Sequence, residues 1–449
     1  MLGPLLLLAG MAAASWSVPI YDLRIVLTYT ALAALLGWAL ARRAAWPVAG
    51  TVGWAVVLAV AGVVTGTVPT FTHISGRPSP APAVLAATAL AAALVLLLPA
   101  ATRRPATPRA ADAALAVAVL GFVVAAVALV RLSPAPRIDV WFMLQQAADG
   151  LAAGRDMYTQ TWVGSPGVKD AFTYLPWTAV LLAPGRWLAG DVRWALVALP
   201  VAAALAVRAL PGRQAPAPRR VAASAAAALL LVLPGTPTQV EQAWTEPLLL
   251  AVVVGAVLAI VHERPWAAVA LLALGIASKQ HLVLLLPLLA AWPRFGVRRA
   301  AVSAAIAGVL VLPWFVADPG AMWHDTVTLL VNFHAIRFSD TLYLAARTEL
   351  GVTPPFWLTG AVVVGTLAAA SLAVRRRNAT PAAFLRWAAL VLLVASLVNK
   401  QAFYNQYWLV AALLVAAWAA PDDGSAEAAE ATDEDEDEGQ RRVDASRRR

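Results

Sequence analysis

Long apolar runs separated by short arginine-rich turns recur from the first residue to about position 420 of this 449-residue chain. About 20 apolar residues span the roughly 30 Å hydrocarbon core of a bilayer as a helix, and in lipid each segment has to satisfy its own backbone polar groups. The pattern predicts an all-α polytopic membrane protein. Charged residues make up only 13% of the chain and mean hydropathy is +0.72. The chain has no cysteine, which excludes disulfides, thiolate metal sites and a cysteine nucleophile.

The net charge of +9 misleads if taken whole. From Pro421 onward the tail carries 11 acidic and 5 basic residues, so the first 420 hold 29 basic against 14 acidic. That excess belongs to membrane topology and anionic lipid head groups, and no nucleic-acid partner is expected. The tail itself, 421–449, cannot bury enough apolar surface to fold and reads as a disordered acidic cytoplasmic extension. The N-terminal run resembles a signal-peptide core, but no basic residue precedes Arg24, and it reads as a retained first span.

Apolar segments at 3–19, 25–41, 48–68, 83–101 and 111–130 are punctuated by Arg42/Arg43 and Arg103/Arg104/Arg109. The positive-inside rule makes both clusters cytoplasmic, so the fifth span delivers Asp139 to the outer face. Further spans follow at 191–210, 221–233 and 248–261, two short pieces at 266–277 and 282–292 around Lys279, and spans at 300–316, 356–374, 381–398 and 407–420. The segment 174–189 is ambiguous. If it dips without crossing and Lys279 marks a turn, the clusters at 208–220, 294–299 and 375–377 all fall inside; if it crosses, the first of these lies outside. The first arrangement is preferred. It divides the chain into four leading transmembrane helices (1–101), a core (102–420) with outer loops at about 131–190 and 317–355, and the tail.

The first outer loop places Asp139, Asp149, Asp156 and Asp170 between two apolar regions. Charged groups at a membrane face mark the place to look for chemistry. Trp141, Leu144, Ala148 and Leu151 recur at helical spacing opposite Gln145, Gln146 and Asp149, which predicts an amphipathic interfacial helix ended by Gly154. Plainer roles compete throughout. Asp139 suits a helix N-cap, Asp149 a solvated face, Asp156 a turn, and the rings of 172–177 an aromatic belt. Only three lysines exist, Lys169, Lys279 and Lys400, all on the outer side in this topology, where interfacial snorkelling is the alternative to a site. His324, His334 and Arg337 lie in the second loop, where a surface role competes.

Asp139 just beyond a span, the run 147–158 (AADGLAAGRDMY), the run 172–177 (FTYLPW) and the run 181–184 (LLAP) together resemble the polyprenyl-phosphate-dependent GT-C glycosyltransferases. The chain is most similar to family eighty-seven, the actinobacterial α-mannosyltransferase-like group. Val240-Glu241-Gln242 stands where that family usually has Gly-Gln, Ser278-Lys279-Gln280 lacks the usual following proline, and Tyr-Leu-Pro replaces Tyr-Pro-Pro. The resemblance covers about 111–420. It implies a GT-C-like bundle of about 13–14 transmembrane helices with two large outer loops carrying amphipathic interfacial helices.

The resemblance further implies a plasma-membrane glycosyltransferase that moves mannose, with arabinose as an alternative, from a polyprenyl-phosphate donor to a glycolipid or cell-envelope glycan on the extracytoplasmic face. Asp139 would be the general base; Lys279, Lys400, Arg337 and His334 would stabilise the donor phosphate. Tyr158, Tyr174, Glu241, Gln242, His281, His324, Gln401 and Tyr404 would line the substrate site. No metal constellation stands out, no cofactor is expected, and a divalent cation has no support in the sequence. The rivals are a secondary transporter or lipid flippase, with Glu241, Glu246 and Lys279 as an ion site, and a non-catalytic scaffold.

Overall fold

The computed structural model describes residues 2–15, 20–44, 46, 49–67, 79–101 and 105–422. The tail beyond Asp422 and the Arg103/Arg104 pair lie outside them. The leading helices are α1 (Leu2–Ser15), α2 (Leu23–Ala41), α3 (Thr51–Thr67) and α4 (Ala81–Ala101). Next come α5 (Pro108–Leu132), α6 (Asp139–Ala152), α7 (Trp177–Ala189), α8 (Arg193–Ala209), α9 (Ala217–Val232), α10 (Thr236–Glu241) and α11 (Glu246–Val261). They are followed by α12 (Pro265–Ile276), α13 (Leu286–Ala291), α14 (Val297–Ala317), α15 (Pro319–Trp323), α16 (Leu329–Asn332), α17 (Leu342–Glu349), α18 (Phe356–Arg376), α19 (Pro381–Val398) and α20 (Tyr404–Ala419). The described residues contain no strand. The molecule is an all-α polytopic membrane protein.

Among the described residues six helices, α2, α4, α5, α14, α18 and α19, are long and apolar enough to cross a bilayer on their own. Shorter ones such as α11 and α12 are shielded by neighbours. At the centre lies α9, whose residues from Val221 to Val232 are all buried. Its alanine run lets backbones approach closely, the way helices associate where hydrocarbon surrounds them, and it packs on α3, α5, α8 and α20. By contrast α14 and α18 keep most of their apolar surface outward, only 17% and 11% of their spanning windows being buried. The leading helices belong to the same body: α4 packs on α5, α3 on α9, and α2 on α19.

Local signals set the helix starts. Thr107 and Thr380 cap α5 and α19 through their hydroxyls, each followed by a proline at the first helical position, where the missing N–H costs nothing. The chain turns by 114° between α7 and α8. Gly190 makes that turn at φ 82°, and a side chain on Gly185 would overlap the backbone of Asp191, Val192 and Ala195. The segment 174–189 thus ends in a sharp turn, and Lys279 sits in a break between α12 and the 3₁₀ turn Gln280–Leu285.

Hydrogen bonds tie the basic clusters to one end of the bundle. Arg208 grips Asp112, Arg219 and Arg386 both reach Asp422, and Arg386 lies 4.5 Å over the Trp46 ring. Nearby Arg377 donates to the Leu40 carbonyl at 2.8 Å. Of these, Arg208, Arg219 and Arg377 belong to the clusters that the preferred topology puts on one side. The loops between α5 and α7 and between α14 and α18 occupy the opposite end.

One expectation fails on α6. Gln145 is buried, not on a solvated face: its amide accepts from Val192 N–H and donates to Gly190 C=O, both at 2.9 Å. The backbone of the α7–α8 turn, buried at Val192, needs a partner there.

Candidate active site

The first loop is held by a desolvated ion pair. Arg193, fully buried, meets Asp191 at 2.6 Å and donates to the Ser133 carbonyl at 2.7 Å, while Trp141 Nε1 donates to the same aspartate. This anchors the first turn of α6 and with it Asp139. The half-buried Asp139 carboxylate accepts from Val140 N–H at 2.9 Å and from Val168 N–H at 3.3 Å. Gly167 lies so close that any side chain there would collide with it. The carboxylate therefore ties the start of α6 to the 165–168 turn instead of simply capping its own helix.

The run after it is stitched to the break at Lys279. Leu175 N–H donates to the Ser278 carbonyl, Trp177 N–H to that of Ala277, and Gln280 Nε2 to that of Thr173. From the other side Tyr158 OH donates to Tyr174 C=O at 2.9 Å, its ring set against Phe172. Tyr158 thus positions Tyr174. The second loop joins through Asp325, whose Oδ2 accepts from Phe172 N–H at 2.7 Å. A π-helical turn, His324–Thr328, aims Asp325 inward, and burial raises its carboxyl above the usual range. Exposed His324 bonds to its other oxygen.

These ties set the Tyr174 ring over Lys279, 5.3 Å from Nζ. Lys279 is only 5% exposed and donates to Thr245 Oγ1 at 2.8 Å and to Glu246 Oε1 at 2.6 Å. Tyr174 is held in its neutral phenol form by burial first, then by the negative charges of Glu246 and Asp139. The ammonium of the Lys279–Glu246 pair therefore lies under one tyrosine ring. Beside the pair His281 meets Gln406 at 3.4 Å, and Asn405 lies next to Glu246. This is not a snorkelling lysine, because its ammonium is committed to the protein interior.

The other candidates divide. Tyr404 shares a hydrogen bond with Ser15 and turns its ring toward Trp244, 6.5 Å away, next to Thr245. Glu241 and Gln242 are sealed at 1% and 0% exposure. Lys400 and Gln401 form a separate group at the second loop, donating to the carbonyls of Val331 and His334. His334 stacks on Phe333, and Arg337 is exposed. Among the described residues no group of three or more His, Asp or Glu could hold a metal ion. Thr245, Asp325 and Asn405 join the site without being expected there, and Glu246, weighed from the sequence only as part of a transporter's ion site, joins it as the partner of Lys279. The sequence signal for Glu246 is its place at the start of a helix before Pro247, which also fits an ordinary first-turn acid.

The site and fold define a multi-spanning membrane protein with a polar, partly desolvated centre at the mouth of its helical bundle. The family model for glycosyltransferase family 87 matches residues 172–399, just over half of the chain, and the chain belongs to that family. Comparison with curated proteins and with solved structures gave no match. The matched region takes in Tyr174, Glu246 and Lys279; Asp139, Lys400 and the leading helices lie outside it.

Proposed function

We propose that this membrane glycosyltransferase transfers a sugar, mannose before arabinose, from a polyprenyl phosphate to a lipid-linked or cell-envelope glycan at the extracytoplasmic face of the plasma membrane. Asp139 takes the proton of the acceptor hydroxyl as its oxygen attacks the sugar C1. The bond from C1 to the phosphate oxygen breaks, and the lipid phosphate leaves with the electron pair. An ammonium has three N–H donors, and Lys279 spends two on Thr245 and Glu246, so the third serves the departing phosphate. A fixed cation in a water-poor site stabilises developing charge without reorganising. Tyr174 lies over the cation, and Lys400, Arg337 and His334 of the second loop are further donors to the phosphate.

The observation that carries this reading is the buried Lys279–Glu246 pair with the Tyr174 ring set over its ammonium. Radiolabelled sugar transfer from a polyprenyl-phosphate donor, run beside substrate flux in proteoliposomes, tests it. Transfer without flux is the expected result. Flux without transfer would favour the ion-coupled transporter that a buried lysine–glutamate pair also suits.

A further inference from the structure

The arginine-rich end of the bundle has an acid fastened at its middle. Asp422, just past the end of α20, accepts from Arg386 Nη1 at 2.9 Å and from Thr380 Oγ1 at 3.0 Å, and its carbonyl accepts from Arg219 at 3.3 Å. The Pro421 carbonyl accepts from Ala382 N–H at 3.2 Å. Arg386 is almost sealed, its side chain 7% exposed and its guanidinium set over Trp46. The point where the chain leaves α20 is therefore built into the body.

Basic segments converge on that point. Arg375 and Arg376 close α18 shortly before Thr380, and Arg377 beside them donates to the Leu40 carbonyl, next to Arg42 and Arg43. Trp292 Nε1 donates to the Ala379 carbonyl at 2.7 Å, which brings up the turn before Arg298. The start of α9 brings Arg219 and, through a bond from Arg220 to its carbonyl, Arg213. Arg42, Arg43, Arg213, Arg298, Arg375 and Arg376 are exposed, and among the described residues none of the six forms an ion pair. Membrane topology accounts for basic residues at one end but leaves their charge uncompensated.

Directly after Asp422 the sequence supplies the opposite charge. Residues 427–438 hold eight carboxylates and no basic residue, six of the acids being consecutive at 433–438. The stretch from Asp422 to Asp433 spans at most about 40 Å, the width of roughly four packed helices, so the run is within reach of every one of these arginines. We propose that the acidic run 427–438 lies across this arginine face as its counter-charge, fastened at the root by Asp422. Tethering gives such a segment an effective concentration on the order of mM at its site, and it holds the arginines against anionic lipid head groups, the competing anion. Exposed charges are screened beyond about 8 Å at physiological salt, so the contact is salt-sensitive. The surface is apart from the polar centre, and the inference stands or falls without the transfer reading.

The test uses the full-length protein in nanodiscs, where the absence of cysteine allows two nitroxide labels, at Val297→Cys beside Arg298 and at Thr432→Cys in the acidic run. Val297 is 71% exposed, so its label leaves the core intact. Label-to-label distances from electron–electron double resonance should form one narrow distribution in neutral lipid at low salt. Changing the six acids 433–438 to the matching amides should broaden it and move it outward. Raising salt to about 1 M, where the screening length is about 3 Å, should do the same. A distribution that either treatment leaves unchanged overturns the proposal, and so does one already broad with the acids in place. Nanodiscs containing anionic lipid test the rival: the narrow distribution should persist there, and its loss would assign the arginines to head groups. The amide changes lie beyond the last helix, so the melting temperature should stay where it is and the distances report the run alone.

Discussion

Lys279 Nζ lies 2.6 Å from Glu246 Oε1 with both side chains sealed from solvent, and the partners come from either side of the helical pair α11 and α12. Removing one partner of such a pair strands a buried charge, at a cost of about 3–5 kcal/mol. Lys279→Gln and Glu246→Gln should each lower stability by that order, and the double variant should recover part of the loss. Thermal unfolding in detergent checks this. Additive losses would show that the two side chains do not sense each other.

The second loop is tied to the leading helices by Asp340, which accepts from Asp22 N–H at 2.9 Å. Burial, the largest cause, raises the Asp340 carboxyl to about 7 from its ordinary 3.8, with the Asp22 charge adding to it. A folded-state pKa above the unfolded one means the folded protein holds the proton more tightly. Its stabilising effect is full below about 4 and is lost as pH rises through about 7. Melting temperature should therefore fall between those limits, with a slope of at most about 1.4 kcal/mol per pH unit from this group. Asp340→Asn should flatten that part of the profile; a profile unchanged by the substitution would rule out Asp340 as its source.

The helical bundle is legible in the sequence because apolar length and arginine punctuation are one-dimensional signals. The break at Lys279 is legible too, since a charge between two short apolar pieces is costly inside one helix. Gln145 is misplaced by its sequence pattern because amphipathic spacing ranks side chains by polarity, whereas the α7–α8 turn needs an amide to satisfy its backbone. Thr245 escapes notice for a related reason: its partner lies 34 residues away, and no local pattern records that contact. Asp325 is hidden likewise, because it anchors Phe172 from a π-helical turn 153 residues distant. Lys400 stands out by rarity and Arg337 by its place in the second loop, which locate a surface but not its partners.

The cysteine-free chain permits a direct test of topology. Gln242 is fully buried and would not report, whereas Leu350, in the second loop, is 74% exposed, and Arg298, beside the basic cluster, is exposed. Leu350→Cys should react with an impermeant thiol reagent on intact cells, and Arg298→Cys only after permeabilisation. The reverse pattern would put the arginine-rich end outside and the proposed site in the cytoplasm.

Asp139→Asn separates chemistry from architecture. The amide keeps the size of the carboxylate, and its carbonyl oxygen still accepts one of the bonds from Val140 and Val168 N–H beside Gly167. What it loses is the capacity to take a proton. Loss of a general base lowers rate by about 10²–10⁴-fold, so the variant should unfold within a few degrees of the wild type while sugar transfer falls by at least about a hundredfold. Donor binding, read by the competition of polyprenyl monophosphate, should persist because Lys279 and Tyr174 are untouched. Transfer above roughly a tenth of wild type, with the same melting temperature, would reduce Asp139 to the residue that ties α6 to the 165–168 turn and would send the search for the base to Asp325 or Glu246.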